Sequence, residues 1–239
     1  MSQLASRAAL ALVLVTFFPD VLGADWQDTT RLADRMAMVD LIRRNGVESR
    51  VALDAMQSVP RHEFVPPEHR NRAYGDHPLP IGLGQTISQP YIVAYMTEMV
   101  DTRPGMKVLE VGTGSGYQAA VLAAAGCEVF TVEIFAELEE SASERLARLG
   151  YNGVTTRHGD GHLGWEGEAP FDAIIVTAAA GFIPPALIDQ MKPGGRMIIP
   201  VGNAYAIQNL ILVTKGEDGD VRTRSLLPVR FVPMLSGLR

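Results

Sequence analysis

Apolar residues Leu32, Met36, Met38, Val39, Leu41 and Ile42 recur at helical spacing along Thr29–Gly46, and Asn45-Gly46 supplies a stop. A second short helix is expected over Ser49–Ser58, ahead of Pro60. RHEFVPPEHRNRAYGDHPLPIG, residues 61–82, is dense in turn formers and reads as irregular surface chain. YIVAYMTEMV, from Tyr91, returns to a helical pattern. From Met106 the pattern changes. MKVLEV, CEVFTVE, GVTTRH, FDAIIVT, RMIIPVG and NLILVTK read as strands, and YQAAVLAAAG, FAELEESASERLARLG and PPALIDQM as helices among them. Strands interleaved with helices predict an α/β fold of βαβ units: a Rossmann-like, mostly parallel sheet with helices on both faces. The unbroken apolar runs AIIV and MIIPV suit strands buried on both sides. The final VRFVPMLSGLR is expected to pack back as an extended tail.

The 239 residues suffice for one domain with a substantial core. The expected division is a helical segment at 24–80, an α/β core at 81–215, and a strand and tail at 216–239. Residues 1–23 stand apart. Arg7 is followed by the 11-residue run AALALVLVTFF, apolar but for Thr16, and then by small residues at Gly23 and Ala24. That is the order of a cleaved secretory signal, and the run is short against the roughly 20 residues of a membrane span. The formal net charge is −6 with Lys and Arg scattered, which argues against a nucleic-acid partner. The single cysteine, Cys127, opens an apolar strand and reads as a buried structural thiol.

The chief chemical signal is VLEVGTGSG. Gly112, Gly114 and Gly116 form a turn between a strand and a helix, where an open α/β sheet binds ligands beyond the carboxyl ends of its strands. A dinucleotide fingerprint needs a third glycine where Tyr117 stands. The observed E-x-G-x-G-x-G, led by Glu110, has the form found in S-adenosylmethionine enzymes. The next strand ends in Glu133, placed to accept bonds from ribose hydroxyls. The third ends at Asp160-Gly161, where a carboxylate can take an adenine amino group and glycine leaves the ring room; Asp-Gly is also a ready Asx-turn. His158 and His162 flank glycines in a loop, and no pattern supports a metal site.

With GQTISQP added, the chain resembles the protein-L-isoaspartate O-methyltransferases from about Val47 to Pro233. The resemblance is carried by VPRHEFVPP, YGDHPLPIGLGQTISQPYIVAYMTE, VLEVGTGSGYQAAVLA, RHGDG, FDAIIVTAA, KPGGRMIIPVG and VRFVPM. It implies methyl transfer from S-adenosyl-L-methionine to the free α-carboxylate of isoaspartyl residues in aged proteins. Ester formation then starts repair through a succinimide. It further implies that Ser88 is the active-site serine, and that Thr86, Ile87, Gly112, Gly114, Ser115, Gly116, Glu133, Asp160 and Gly161 contact the cofactor. Gln89 and Arg230 fall beside the substrate. A monomer is expected, without nucleic acid and without stable membrane association after leader cleavage. The leader departs from the family pattern and points to the periplasm or beyond, where relatives are usually cytoplasmic.

The implied reaction explains why GQTISQP holds no acid or base. The acceptor is a carboxylate with a pKa around 4, already ionised at neutral pH, so no general base is needed. The expected task is alignment and water exclusion, with Ser88 and backbone N–H groups as neutral donors. Serine ahead of a helix is also a favoured N-cap, and Ser88 suits that role on local pattern alone.

Overall fold

The computed structural model describes residues 31–237; the expected leader lies outside them. Helix α1 covers Leu32–Arg44 and α2 Arg50–Ser58. The Ser49 hydroxyl caps α2 by accepting from Ala52 N–H. Met38, Val39 and Ile42 of α1 join Leu53 and Met56 of α2 in one core cluster. Each such side chain contributes about 1.5–3 kcal/mol by leaving water. Arg35 of α1 donates to the carbonyls of Gln57 and Ser58 and ties the pair together.

The stretch expected to be irregular holds more order. Short 3-10 turns cover Arg61–Phe64 and Pro67–Arg72, and the chain then forms a hairpin. Strand β1 (Leu79–Gly82) runs antiparallel to β2 (Gln85–Ile87), with Leu79 opposite Ile87. Pro78 and Pro80 disguise this strand in the sequence, because proline is tolerated only where a ladder N–H is not required. Leu83 and Gly84 turn the hairpin with φ of 50° and 72°. Helix α3 follows at Pro90–Met99.

The remaining elements build the main sheet. They are β3 (Lys107–Val111), α4 (Tyr117–Ala124), β4 (Glu128–Glu133), α5 (Ala136–Arg148), β5 (Val154–His158), β6 (Phe171–Val176), α6 (Pro185–Asp189), β7 (Met191–Val201), β8 (Gln208–Lys215) and β9 (Val221–Val229). Among the described residues this sheet has seven strands in the order β5-β4-β3-β6-β7-β8-β9. The pairs from β5 through β7 are parallel, and β8 and β9 are antiparallel additions. The fifth main strand starts earlier than expected, at Met191, with a register shift against β6, so α6 is shorter than the PPALIDQM pattern suggests.

Side chains alternate between two cores, as strands covered on both faces require. Val108, Val129, Ala173, Ile175 and Ile198 face a cluster shared with α3 and α4. Leu109, Phe130, Ile174, Val176 and Met197 face the cluster of Leu187 and Trp165. The direction of strand succession reverses between β3 and β6, which places a crevice beyond their carboxyl ends. The tail crosses that crevice. Ala179 N–H donates to Val232 O, Met234 N–H donates back to Ala179 O, and Gly237 N–H donates to Asp160 Oδ2 at 2.9 Å.

Candidate active site

The glycine turn after β3 requires its glycines. Gly112, Gly114 and Gly116 have φ of 99°, 52° and 85°, which favour glycine. Gly112 has a second reason, since a β-carbon there would overlap Thr177 Oγ1. The Thr177 hydroxyl lies within bonding distance of the Val111 carbonyl, 3.0 Å, and the Gly112 carbonyl, 2.6 Å. Gly116 sits behind the turn, where a β-carbon would press on Leu146, and lies just ahead of α4.

Glu133 ends β4 with its carboxylate turned to the glycine turn. Oε2 accepts from Gly114 N–H at 2.8 Å, and Oε1 accepts from the N–H groups of Ile134 and Phe135. Asp160 follows β5 and makes the Asx-turn, accepting from His162 N–H at 2.9 Å. Burial alone would raise its pKa, but donors from Gly237 and His162 prevail and hold it below the usual carboxylate range. Gly161 does more than leave room for a ring: a β-carbon would overlap Val111 Cγ1, so the chain could not pack on the end of β3.

Three adjoining cavities result. A slot of about 60 Å³ is lined by Thr86, Gly112, Gly114, Glu133, Gly161 and the tail residues 232–235. A smaller one, about 30 Å³, brings Ile87 and Ser88 against Glu110, Ser115 and Gln118. The third, about 400 Å³, is lined by Ser88, Gln89, Ile92, Ile207, Arg230 and Phe231 among others. Thr86 and Thr177 line all three and form the wall between slot and large cavity. Thr177 was not singled out in the sequence, where it stands as the last residue of the strand pattern FDAIIVT. Its place after β6, the strand next to β3, was the available signal.

Glu110 is fully buried. Thr131 donates to Oε2 at 2.5 Å, while Oε1 has no partner among the described residues. Burial, with Glu133 nearby, pushes its pKa up to about 8. Gln118 Oε1 is likewise a buried acceptor without a partner among the described residues. The orphaned acceptor of Gln118, the unpartnered oxygen of the buried Glu110 carboxyl and the carboxylates of Glu133 and Asp160 thus lie toward the carboxyl ends of the central strands. This set fits a ligand that brings hydroxyls, amines and positive charge, as S-adenosylmethionine does.

Ser88 is not the helix cap its position suggested. Helix α3 starts at Pro90 with Gln89 as the cap residue. The capping bond comes from a distant loop: Asp76 Oδ1 accepts from Tyr91 N–H, and Oδ2 accepts from Gln89 Nε2, both at 2.8 Å. The two histidines also serve the fold. His158 Nε2 pairs with Ile134 O and His162 Nδ1 with Asp160. Among the described residues no group of three or more His, Cys, Asp or Glu could hold a metal, and no helix is long and apolar enough to cross a membrane. Burial and the nearby Asp172 push the Cys127 thiol up to about 12.

The switch-point crevice, glycine turn and acids closing β4 and β5 are those of a Rossmann-like class I S-adenosylmethionine-dependent methyltransferase. Within that class the chain belongs to the protein-L-isoaspartate(D-aspartate) O-methyltransferase family, whose model matches residues 33–239. It is 55% identical over 211 residues to protein-L-isoaspartate O-methyltransferase 2 of Syntrophobacter fumaroxidans, covering 88% of this chain and 83% of that protein. To protein-L-isoaspartate O-methyltransferase 1 of Cupriavidus necator it is 51% identical, covering 95% and 90%. A solved protein-L-isoaspartate O-methyltransferase superposes with a TM-score of 0.77 at 31% identity, over 85% of this chain and 66% of that one. A Plasmodium falciparum structure described as a beta-aspartate methyltransferase, in complex with S-adenosyl-L-homocysteine, gives 0.74 at 25% identity, over 84% and 98%.

Proposed function

We propose that the chain methylates the free α-carboxylate of L-isoaspartyl residues in damaged proteins and peptides, using S-adenosylmethionine and initiating repair through a succinimide. The observation that carries this reading is the shared wall. Thr86 and Thr177 border both the slot beside Glu133 and a cavity large enough for a peptide segment, and Ser88 lines that cavity. Glu133, Asp160 and the glycine turn would hold the cofactor, which supplies an activated methyl group on a sulfonium. Neutral donors suit the other partner. A cation locked onto an attacking carboxylate would blunt it, whereas a hydroxyl orients it with less loss of nucleophilicity. Thr86 of β2 and tail residues 230–235 line the cavities and would limit water at the meeting point, which would strengthen the interactions there.

The test uses labelled S-adenosylmethionine and two peptides that differ only in aspartyl or isoaspartyl linkage. Base-labile label in the isoaspartyl peptide alone supports the reading. Equal labelling of both would make this a general carboxyl methyltransferase. We also propose that the leader directs export and that the mature protein is a monomer. The first rests on the pattern of residues 1–23, against the usual family location, and the second on the family resemblance. N-terminal sequencing and sedimentation test them; a mature chain starting at Met1 or Ser2 overturns export.

A further inference from the structure

We propose that Arg61 is a positioning residue for methyl transfer, fixing the Ser88 peptide so that the serine hydroxyl meets the acceptor; this rests on the function proposed above. Arg61 is completely buried. Its Nε donates to Ala73 O at 2.7 Å and its Nη2 to Ser88 O at 2.7 Å. Its guanidinium carbon lies 4.7 Å from the centre of the Tyr117 ring, on the residue that opens α4 after the glycine turn. One planar cation therefore joins the N-terminal segment, the exit of the β1–β2 hairpin and the cofactor turn. Asp76 holds the next residues of the same turn through Gln89 and Tyr91.

Stability does not account for this choice of residue. A buried cation is costly to desolvate, and a well-packed apolar side chain of similar volume is often at least as stabilising. Here the bonds end on carbonyls, and Nη1 has no partner among the described residues. Burial accordingly lowers the pKa of the group. What arginine uniquely supplies is a rigid fork that spans two carbonyls at once, which lysine cannot reproduce. One of those carbonyls belongs to the residue facing the acceptor cavity. Fixing that carbonyl orients the Ser88 peptide plane and hence the hydroxyl beside it. A displacement of about 1 Å at such a place can cost about 100-fold in rate.

The experiment compares full-length wild type with Arg61→Lys, Arg61→Gln and Arg61→Ala. It measures kcat and KM on an isoaspartyl peptide, the Kd of S-adenosylhomocysteine by calorimetry, and Tm. Assays run well below each variant's Tm. The expected result is a kcat lowered about 10- to 100-fold in all three, with Kd changed less than about 3-fold. Methylguanidinium should restore a saturable part of kcat to Arg61→Ala and none to Ser88→Ala. If the Arg61 variants do not fold, Asp76→Asn tests the same clamp from its other side and should lower kcat with unchanged cofactor affinity. Wild-type kcat in Arg61→Lys overturns the proposal. So do losses that only track the folded fraction without guanidinium rescue, and wild-type kcat in Asp76→Asn where the Arg61 variants fail to fold. A wild-type protein inactive on the isoaspartyl peptide overturns the function and this inference together; an active one with unaffected variants overturns the inference alone.

Discussion

The Thr177 hydroxyl donates to the carbonyl of Gly112 at 2.6 Å, and the space it occupies is the one a β-carbon on Gly112 would need. Gly112→Ala therefore meets two obstacles, the overlap and a φ of 99°. Left-handed strain costs about 1–3 kcal/mol. Calorimetry should show S-adenosylhomocysteine binding weakened at least about 10-fold. Adding Thr177→Ala removes the overlap but not the backbone strain, so the double variant should recover only part of the loss.

Ser88→Ala should leave cofactor affinity near wild type and lower kcat/KM on an isoaspartyl peptide about 10- to 100-fold. That is the range of one hydrogen bond to a charged group, about 1.5–3 kcal/mol. Since Ser88 does not cap α3, no loss of stability beyond about 0.5 kcal/mol is expected. A wild-type kcat/KM would remove Ser88 from the machinery.

Glu133→Gln replaces an oxygen that accepts backbone N–H bonds with an amide donor. The carboxylate bonds to Gly114, Ile134 and Phe135 cannot all survive. Cofactor Kd should rise about 10-fold or more while KM for the peptide moves little. Parallel loss of both affinities would instead indicate general disruption.

Glu110 gives the fold a pH dependence. Its folded pKa of about 8 lies above the ordinary 4.5, so the folded chain holds a proton that the unfolded chain releases. The stability from this group is fully present below 4.5 and is lost as pH rises through about 8. Glu110→Gln keeps the shape without the titration. Thermal melts between about pH 5 and 9 should show the Gln variant gaining on wild type as pH rises. A constant difference would mean the carboxyl is ionised throughout.

Cys127 should be inert. With its thiol near 12, alkylating reagents should modify the native chain far more slowly than the unfolded one, and without loss of activity.

The sheet was legible because its runs are long and doubly buried: AIIV and MIIPV have few other uses. The placing of Gly112, Gly114, Glu133 and Asp160 at one edge was legible because the topology forces the ends of the parallel strands there. The β1–β2 hairpin was not, since Pro78, Pro80 and the two glycines within Leu79–Gly84 look like loop chemistry. Ser88 as cap was wrong for a related reason. Local pattern offered a serine before a helix, but the bond comes from Asp76, many residues away. Thr177 and Arg61 were missed because each matters through a partner that only the folded chain brings near.

Thr86 and Thr177 stand between the slot proposed for the donor and the chamber proposed for the acceptor, so a change in either alters both compartments. Anyone retraining this enzyme toward a different carboxylic acid would do best to leave that party wall alone and recut the outer rim, at Ile207 or Pro228, where the methyl donor is not a neighbour.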